Sequence, residues 1–165
     1  MKQLLAGLAI SLAISPIAFA AVAAGVSLGC QPYEAGDAAR LTPGVELTGT
    51  FGRLGVQAAG ESTDRSYLGR VTAIHVNGIY VAPVSQDLNA SFGAGITRVS
   101  AEATETGSAS ETTWNVSAEV SHRFHAAELF ARVRYFTYEF PAFRDQMTGS
   151  PAGPSMSVGV RYRFH

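Results

Sequence analysis

Apolar and polar residues alternate along most of this chain with a period of two, the spacing of a strand whose two faces meet different surroundings. The clearest case is the C-terminal stretch, where Met156, Val158, Val160, Tyr162 and Phe164 fall on one face and Ser157, Gly159, Arg161 and Arg163 on the other. Leu88 to Ser100 sets Leu88, Ala90, Phe92, Ala94 and Ile96 against Asn89, Ser91, Gly93, Gly95 and Thr97. Thr113 to His122 sets Trp114, Val116, Ala118 and Val120 against Asn115, Ser117, Glu119 and Ser121. In Glu128 to Phe140, Leu129, Ala131, Val133 and Tyr135 oppose Glu128, Arg132 and Arg134. Val22 to Gln31 reads as a first strand, and Tyr67 to Ala82 as a long one. Val45, Leu47, Gly49 and Phe51 alternate with Glu46, Thr48 and Thr50. Gly52-Arg53-Leu54-Gly55 then either turns this strand into Val56 to Gly60, or residues 44–60 form one long bulged strand. No helical periodicity of useful length is present.

With the hairpin, the count is eight strands, and the connections alternate in length. Residues 32–43, 61–66, 101–112 and 141–153 read as long polar loops, and 52–55, 83–86 and 123–126 as tight turns. The fold class this predicts is all-β: an eight-stranded antiparallel up-and-down transmembrane β-barrel, whose tilted strands need roughly 9–11 residues to cross a bilayer. Alternation alone leaves the inward face open, because a soluble lipocalin-like barrel has the same pattern with apolar residues inside. Three features favour the membrane arrangement. The polar face is small as well as polar (Gly93, Gly95, Ser117, Ser121, Ser157 and Gly159), as a narrow lumen requires. The aromatics gather near strand ends, where amphipathic rings sit at a membrane surface: Tyr67, Trp114, Tyr135 and Tyr138 at one interface, Phe51, Tyr80, Tyr162 and Phe164 at the other. The third is the amphipathic strand that closes the chain.

The N-terminal residues change the picture of where such a barrel resides. Met1-Lys2 precede an apolar run, Leu4 to Phe19, and Ala18-Phe19-Ala20 has small-x-small cleavage spacing. Residues 1–20 therefore read as a cleaved secretory signal peptide and 21–165 as one barrel domain, with Ala23 as an alternative cleavage position. The run is short for a membrane-spanning helix, which needs roughly 20 residues. Lys2 is the only lysine, so the mature chain sets eleven arginines against thirteen acids. That balance gives no electrostatic reason to bind nucleic acid. Cys30 is a single cysteine and forms no internal disulfide, and the four histidines show no ligand-like spacing with it. No metal or cofactor is expected.

The order Ser157-x-Gly159-x-x-Tyr162-x-Phe164 resembles the C-terminal signal by which bacterial outer-membrane barrels are recognised for assembly; that family usually ends on the aromatic, and here His165 follows. With Tyr135-Phe136-Thr137-Tyr138-Glu139-Phe140 before the last loop, the mature chain resembles the small eight-stranded outer-membrane proteins of the OmpA/OmpX and opacity-protein superfamily. The resemblance implies residence in the bacterial outer membrane, contact with its lipid and lipopolysaccharide, and passage through the barrel-assembly machinery. It implies no single activity, since one fold hosts many functions.

The alternation points Glu46, Glu119, Glu128, Arg132, Arg134, Arg161 and Arg163 into the lumen. Isolated charges there would be costly, so pairing is expected, with Glu119–Arg132 or Glu119–Arg134 as neighbours on adjacent strands. A packed salt-bridge plug is one outcome and a narrow water or ion path the other; eight strands exclude a wide pore. No catalytic set is apparent: His122 lies near a turn, and His75, with Asn77 beside it, has no serine at a useful spacing. The acidic segment 101–112, with Glu102, Glu105 and Glu111, and the loop 141–153 behind Phe140 and Phe143 are the candidates for contact with an extracellular partner. The expected role is structural or adhesin-like.

Overall fold

In the computed structural model, the structure describes residues 21–31, 40–65, 69–103, 107–136 and 153–164. These form β1 (Ala21–Gln31), β2 (Arg40–Phe51), β3 (Leu54–Arg65), β4 (Gly69–Pro83), β5 (Leu88–Ala103), β6 (Gly107–Phe124), β7 (Ala127–Phe136) and β8 (Gly153–Phe164). Each strand pairs antiparallel with its neighbours in sequence, and β8 returns to pair with β1, so the sheet closes as an up-and-down barrel. Closure leaves no edge strand with unpaired backbone groups. Gln31, Arg40, Arg65, Ala103 and Gly153 mark strand ends.

Tight turns join the strands at the end that holds both β1's start and β8's finish. Gly52 adopts φ +59° in the β2–β3 turn, a left-handed conformation that glycine takes without steric cost. The residues 44–60 are thus a hairpin, with Phe51 opposite Leu54. In the β4–β5 turn, the N–H groups of Val84 and Ser85 both donate to the Leu88 carbonyl, at 2.9 and 3.0 Å.

Three of the sequence-based loops need correction. Residues 40–43 lie in β2, 61–65 in β3, and 101–103 and 107–112 in β5 and β6. Residues 61–65 and 107–112 are polar on both faces, and 40–43 carry a proline, and for those reasons read as loops. Their backbones nonetheless continue the ladder, with Ser62 opposite Thr72 and Ser100 opposite Ser110. Backbone pairing needs no apolar face, and a strand that projects past an apolar band meets water on the outside. The loop 141–153, apart from Gly153, the aromatics Tyr67 and Tyr138, Glu105 and residues 1–20 lie outside the described residues.

The barrel is polar inside and apolar outside. Along β4, Val71, Ala73, His75, Asn77 and Ile79 are buried, while Ile74, Val76 and Tyr80 are exposed. The outward faces of the other strands carry Val26, Leu28, Val45, Phe92, Ile96, Val116, Val120, Leu129, Val133, Val158 and Val160, all exposed. Trp114 and Tyr135 stand 6.0 Å apart on the outer surface, and Phe51, Tyr80, Tyr162 and Phe164 point outward toward the turn-bearing end. Phe92, on the apolar face read from the sequence, and Phe124, read there as part of a turn, join this outward set. Arg53, in the β2–β3 turn, reaches the Tyr80 hydroxyl at 3.5 Å, which draws that ring's polar tip toward the turns.

Gly159 lets the interior pack. A Cβ on Gly159 would meet the Phe130 ring at 2.5 Å and the Val26 carbonyl at 2.4 Å. Phe130 therefore lies against bare backbone. The substitution Gly159→Val is expected to destabilise the barrel by about 1–3 kcal/mol through overpacking. Urea unfolding of the protein in detergent micelles measures it, and an unchanged midpoint would refute this packing.

Candidate functional site

The chemically distinctive region is the lumen. Its centre is built on two register rows. In the first, Glu46 on β2 stands opposite Gly25 on β1, Gly25 opposite Arg161 on β8, and Arg161 opposite Glu128 on β7. Gly25 carries no side chain, and a Cβ there would fall 2.6 Å from the Cβ of Arg161. The bare backbone allows Arg161 to cross β1 and reach Glu46. In the second row, Glu119 on β6 stands directly opposite Arg132 on β7.

The rows interlock across the lumen. Arg132 donates from Nε to Glu119 Oε2 at 2.9 Å, makes a second bond to the same oxygen, and reaches Glu46 Oε2 from Nη2 at 2.7 Å. Arg161 donates to Glu46 Oε1 at 3.0 Å, to Glu128 Oε1 at 2.8 Å, and to Glu119 Oε1. Arg163 Nε continues the chain to Glu128 Oε2 at 3.2 Å, nearer the turn-bearing mouth, where its side chain keeps 20% of its surface exposed. The Phe130 ring lies beneath both central guanidiniums, 4.7 Å from Arg132 Cζ and 4.9 Å from Arg161 Cζ. These are cation–π distances that also shield the pairs from water. Buried Glu46, Glu119, Arg132, Arg161 and Phe130 fill this cross-section.

Arg134 does not join Glu119. Its Nη1 reaches Glu61 Oε1 at 3.2 Å, in a second cluster farther from the turns. The same carboxylate oxygen lies 2.6 Å from His75 Nε2, while His75 Nδ1 lies 2.8 Å from Thr97 Oγ1. A carboxylate only accepts, so Nε2 carries the proton. Phe136 covers His75 edge-on, with ring centroids 5.3 Å apart. The sequence placed Glu61 in a loop and gave His75, Thr97 and Phe136 no role. Carrying the parity of Gln57 and Ala59 two residues onward would have pointed Glu61 inward.

The seven lumen charges read from the sequence thus divide. Glu46, Glu119, Glu128, Arg132, Arg161 and Arg163 form one connected network; Arg134 belongs to the other cluster. With Glu61, the ion pairs inside the barrel join, among the described residues, four carboxylates to four guanidiniums. Thr48, Ser91, Glu128, Arg161 and Arg163 border a cavity of about 20 Å³ toward the turn-bearing mouth, room for about one water molecule. Among the described residues, no group of three or more His, Cys, Asp or Glu is placed to hold a metal ion. Cys30 is half-buried with a free thiol.

Removing one member of the central network leaves its partners charged and buried. Glu119→Ala is expected to cost about 3–5 kcal/mol of folding stability. The double variant Glu119→Leu/Arg132→Leu removes one charge of each sign and should recover most of that loss. Equilibrium unfolding of both variants in the same micelles provides the check; equal losses would mean that the charges do not depend on one another.

No protein-family model matches the chain, and no curated protein sequence does. Solved structures do match. Neisserial surface protein A, NspA, aligns over 87% of this chain and 96% of its own, with a TM-score of 0.63 and 18% identity. The N-terminal β-barrel domain of Pseudomonas aeruginosa OprF covers 86% of this chain and 97% of its own, at TM-score 0.61 and 13% identity. Ail, the attachment invasion locus protein of Yersinia pestis, determined in complex with the heparin analogue sucrose octasulfate, covers 87% and 97%, at TM-score 0.54 and 13% identity. The fold of this chain is that of the small eight-stranded outer-membrane β-barrels.

Proposed function

We propose that this protein is an integral barrel of the bacterial outer membrane with a closed, salt-bridged lumen, and that its role is structural or one of surface interaction. One observation carries the reading: a closed barrel that buries its charges inside and presents Val, Leu, Ile and aromatic side chains around its outside. Water would reject that surface and hydrocarbon accepts it. A soluble ligand-binding barrel requires the opposite distribution, with an apolar interior.

The lumen favours a plug over a conduit. The central cross-section is filled by buried Glu46, Glu119, Arg132, Arg161 and Phe130, and every one of those charges has a partner of opposite sign. Opening a path there would separate buried ion pairs. Catalysis has no support either. Thr97, His75 and Glu61 stand in a hydroxyl–imidazole–carboxylate series, yet Thr97 and His75 are each 0% exposed, out of reach of any substrate. An adhesin-like role draws on the likeness to NspA and Ail, a surface protein and an attachment protein by name. Such a role would act through the ends of β5 and β6 around residues 101–112 and through the segment 141–153. The export signal at residues 1–20, the barrel-assembly machinery and contact with outer-membrane lipid and lipopolysaccharide belong to the same proposal.

Membrane fractionation with gel migration of boiled and unboiled samples tests it. The protein should sit in the outer-membrane fraction, with an unboiled form that migrates differently; release as a soluble periplasmic protein would overturn the reading. In planar bilayers the purified barrel should give no discrete conductance steps, and regular steps would favour the narrow channel. Val158→Arg, in the middle of the outward face and 61% exposed, should cost about 2–4 kcal/mol when the protein is folded into lipid bilayers. A neutral effect there would mean that this face does not meet lipid.

A further inference from the structure

The turn-bearing end carries an outward surface that the lumen chemistry does not use. Phe51 stands opposite Leu54 across the β2–β3 turn, Leu54 opposite Tyr80 on β4, and Tyr80 opposite Phe92 on β5. The four side chains form one register row across four strands, and all are exposed. Phe51 and Leu54 keep 70% and 64% of their surface, so little of the chain itself covers the start of the row.

One cation stands beside this row. Arg53 is the second residue of the β2–β3 turn, and its carbonyl accepts the Val81 N–H at 2.7 Å. That bond holds the turn against β4, one position beyond the Leu54–Tyr80 pair. The side chain turns back over β4, where Arg53 Nη1 donates to the Tyr80 hydroxyl at 3.5 Å. Such a length is the outer limit of a hydrogen bond, so the phenol positions the guanidinium without satisfying it. The arginines Arg70 and Arg163, at the two ends of the barrel, have carboxylate partners in Asp64 and Glu128. Among the described residues, Arg53 has none, and Asp87 in the β4–β5 turn forms no ion pair with it.

The chemistry selects the ligand. A guanidinium offers five N–H donors in a planar fork, and a phenol adds one O–H. Two such groups beside four apolar side chains suit a molecule that joins an anion with several acceptor oxygens to hydrocarbon. Arginine pairs with phosphate oxygens in this bidentate way. In outer-membrane barrels the short turns face the periplasm, and aromatic rings near them lie at the depth of lipid headgroups. We propose that Arg53 and Tyr80 bind the headgroup phosphate of a glycerophospholipid in the periplasmic leaflet, with its acyl chains packed along Phe51, Leu54 and Phe92. The inference rests on the membrane reading given above and adds to it a particular lipid site on one side of the barrel.

The test is an NMR titration of the isotope-labelled full chain, folded in maltoside micelles, with dihexanoyl phosphatidylglycerol. A heat-modifiable band and a dispersed amide spectrum first establish the folded barrel, and fractionation checks its membrane residence separately. The Arg53 Nε–H signal and the backbone amides of Tyr80 and Phe92 should shift saturably. Read at those two amides, Arg53→Gln should weaken binding about tenfold and Tyr80→Phe about threefold, as expected for the loss of a charge-assisted and of a neutral hydrogen bond. Arg53→Lys, which keeps the charge, should recover most of the affinity. Dihexanoylglycerol, with the chains but no phosphate, should leave the Arg53 signal in place. Equal Arg53 shifts with dihexanoylglycerol, or unchanged affinity in folded Arg53→Gln, would overturn the proposal. So would shifts along the row that grow with protein concentration in the absence of lipid, which would make the occupant a second copy of the chain.

Discussion

Three carboxylates from three strands converge on the guanidinium of Arg161, and the interior is organised around that convergence. Glu46 comes from β2, Glu119 from β6 and Glu128 from β7, so one residue of β8 ties three other strands together across the lumen. Arg132 shares two of the three carboxylates, which turns separate pairs into a lattice. In an interior this narrow, water cannot solvate a separated charge well, so each ion depends on the others for its low energy. The lattice also requires its exceptions. Gly25 lets Arg161 pass over β1, and Gly159 lets Phe130 lie flat beneath both guanidiniums. The small residues of the polar face are thus the geometric counterpart of the large charged ones.

The outside follows from the same constraint. A barrel whose interior sets ion pairs among only a few apolar side chains has little apolar core to drive folding in water. Its apolar side chains form a continuous outer surface, and only hydrocarbon makes that arrangement favourable. The backbone meets the same demand by closing on itself, since an open edge would leave unpaired N–H and C=O groups in lipid. Strand closure, inverted polarity and charge pairing are therefore one solution rather than three.

The lumen is also uneven along its length. The central network satisfies its charges with one another, whereas the Asn77–Asn115–Arg134 region leaves polar atoms unmet by protein.

Much of this was legible in the sequence. The period-two alternation placed most of the strands, leaving only the 44–60 hairpin open, and put Glu46, Glu119, Glu128, Arg132, Arg134, Arg161 and Arg163 on the polar faces of their strands, because side-chain direction along a strand is local backbone geometry. Alternation failed where polarity lost its contrast: residues 61–65 and 107–112 read as loops yet continue the ladder, and Glu61 was lost with them. Which face is inside was not fixed locally, since the pattern is symmetric under inversion, and closure of the barrel decided it. Partner choice was equally out of reach. Arg134 meets Glu61 across 73 residues, and Arg161 meets Glu46 across 115, because strand register and the bare backbone of Gly25 bring them together. The sequence by itself determined which residues share a face; only the tertiary structure, through register and closure, decided that this face lies inside and which of its residues touch.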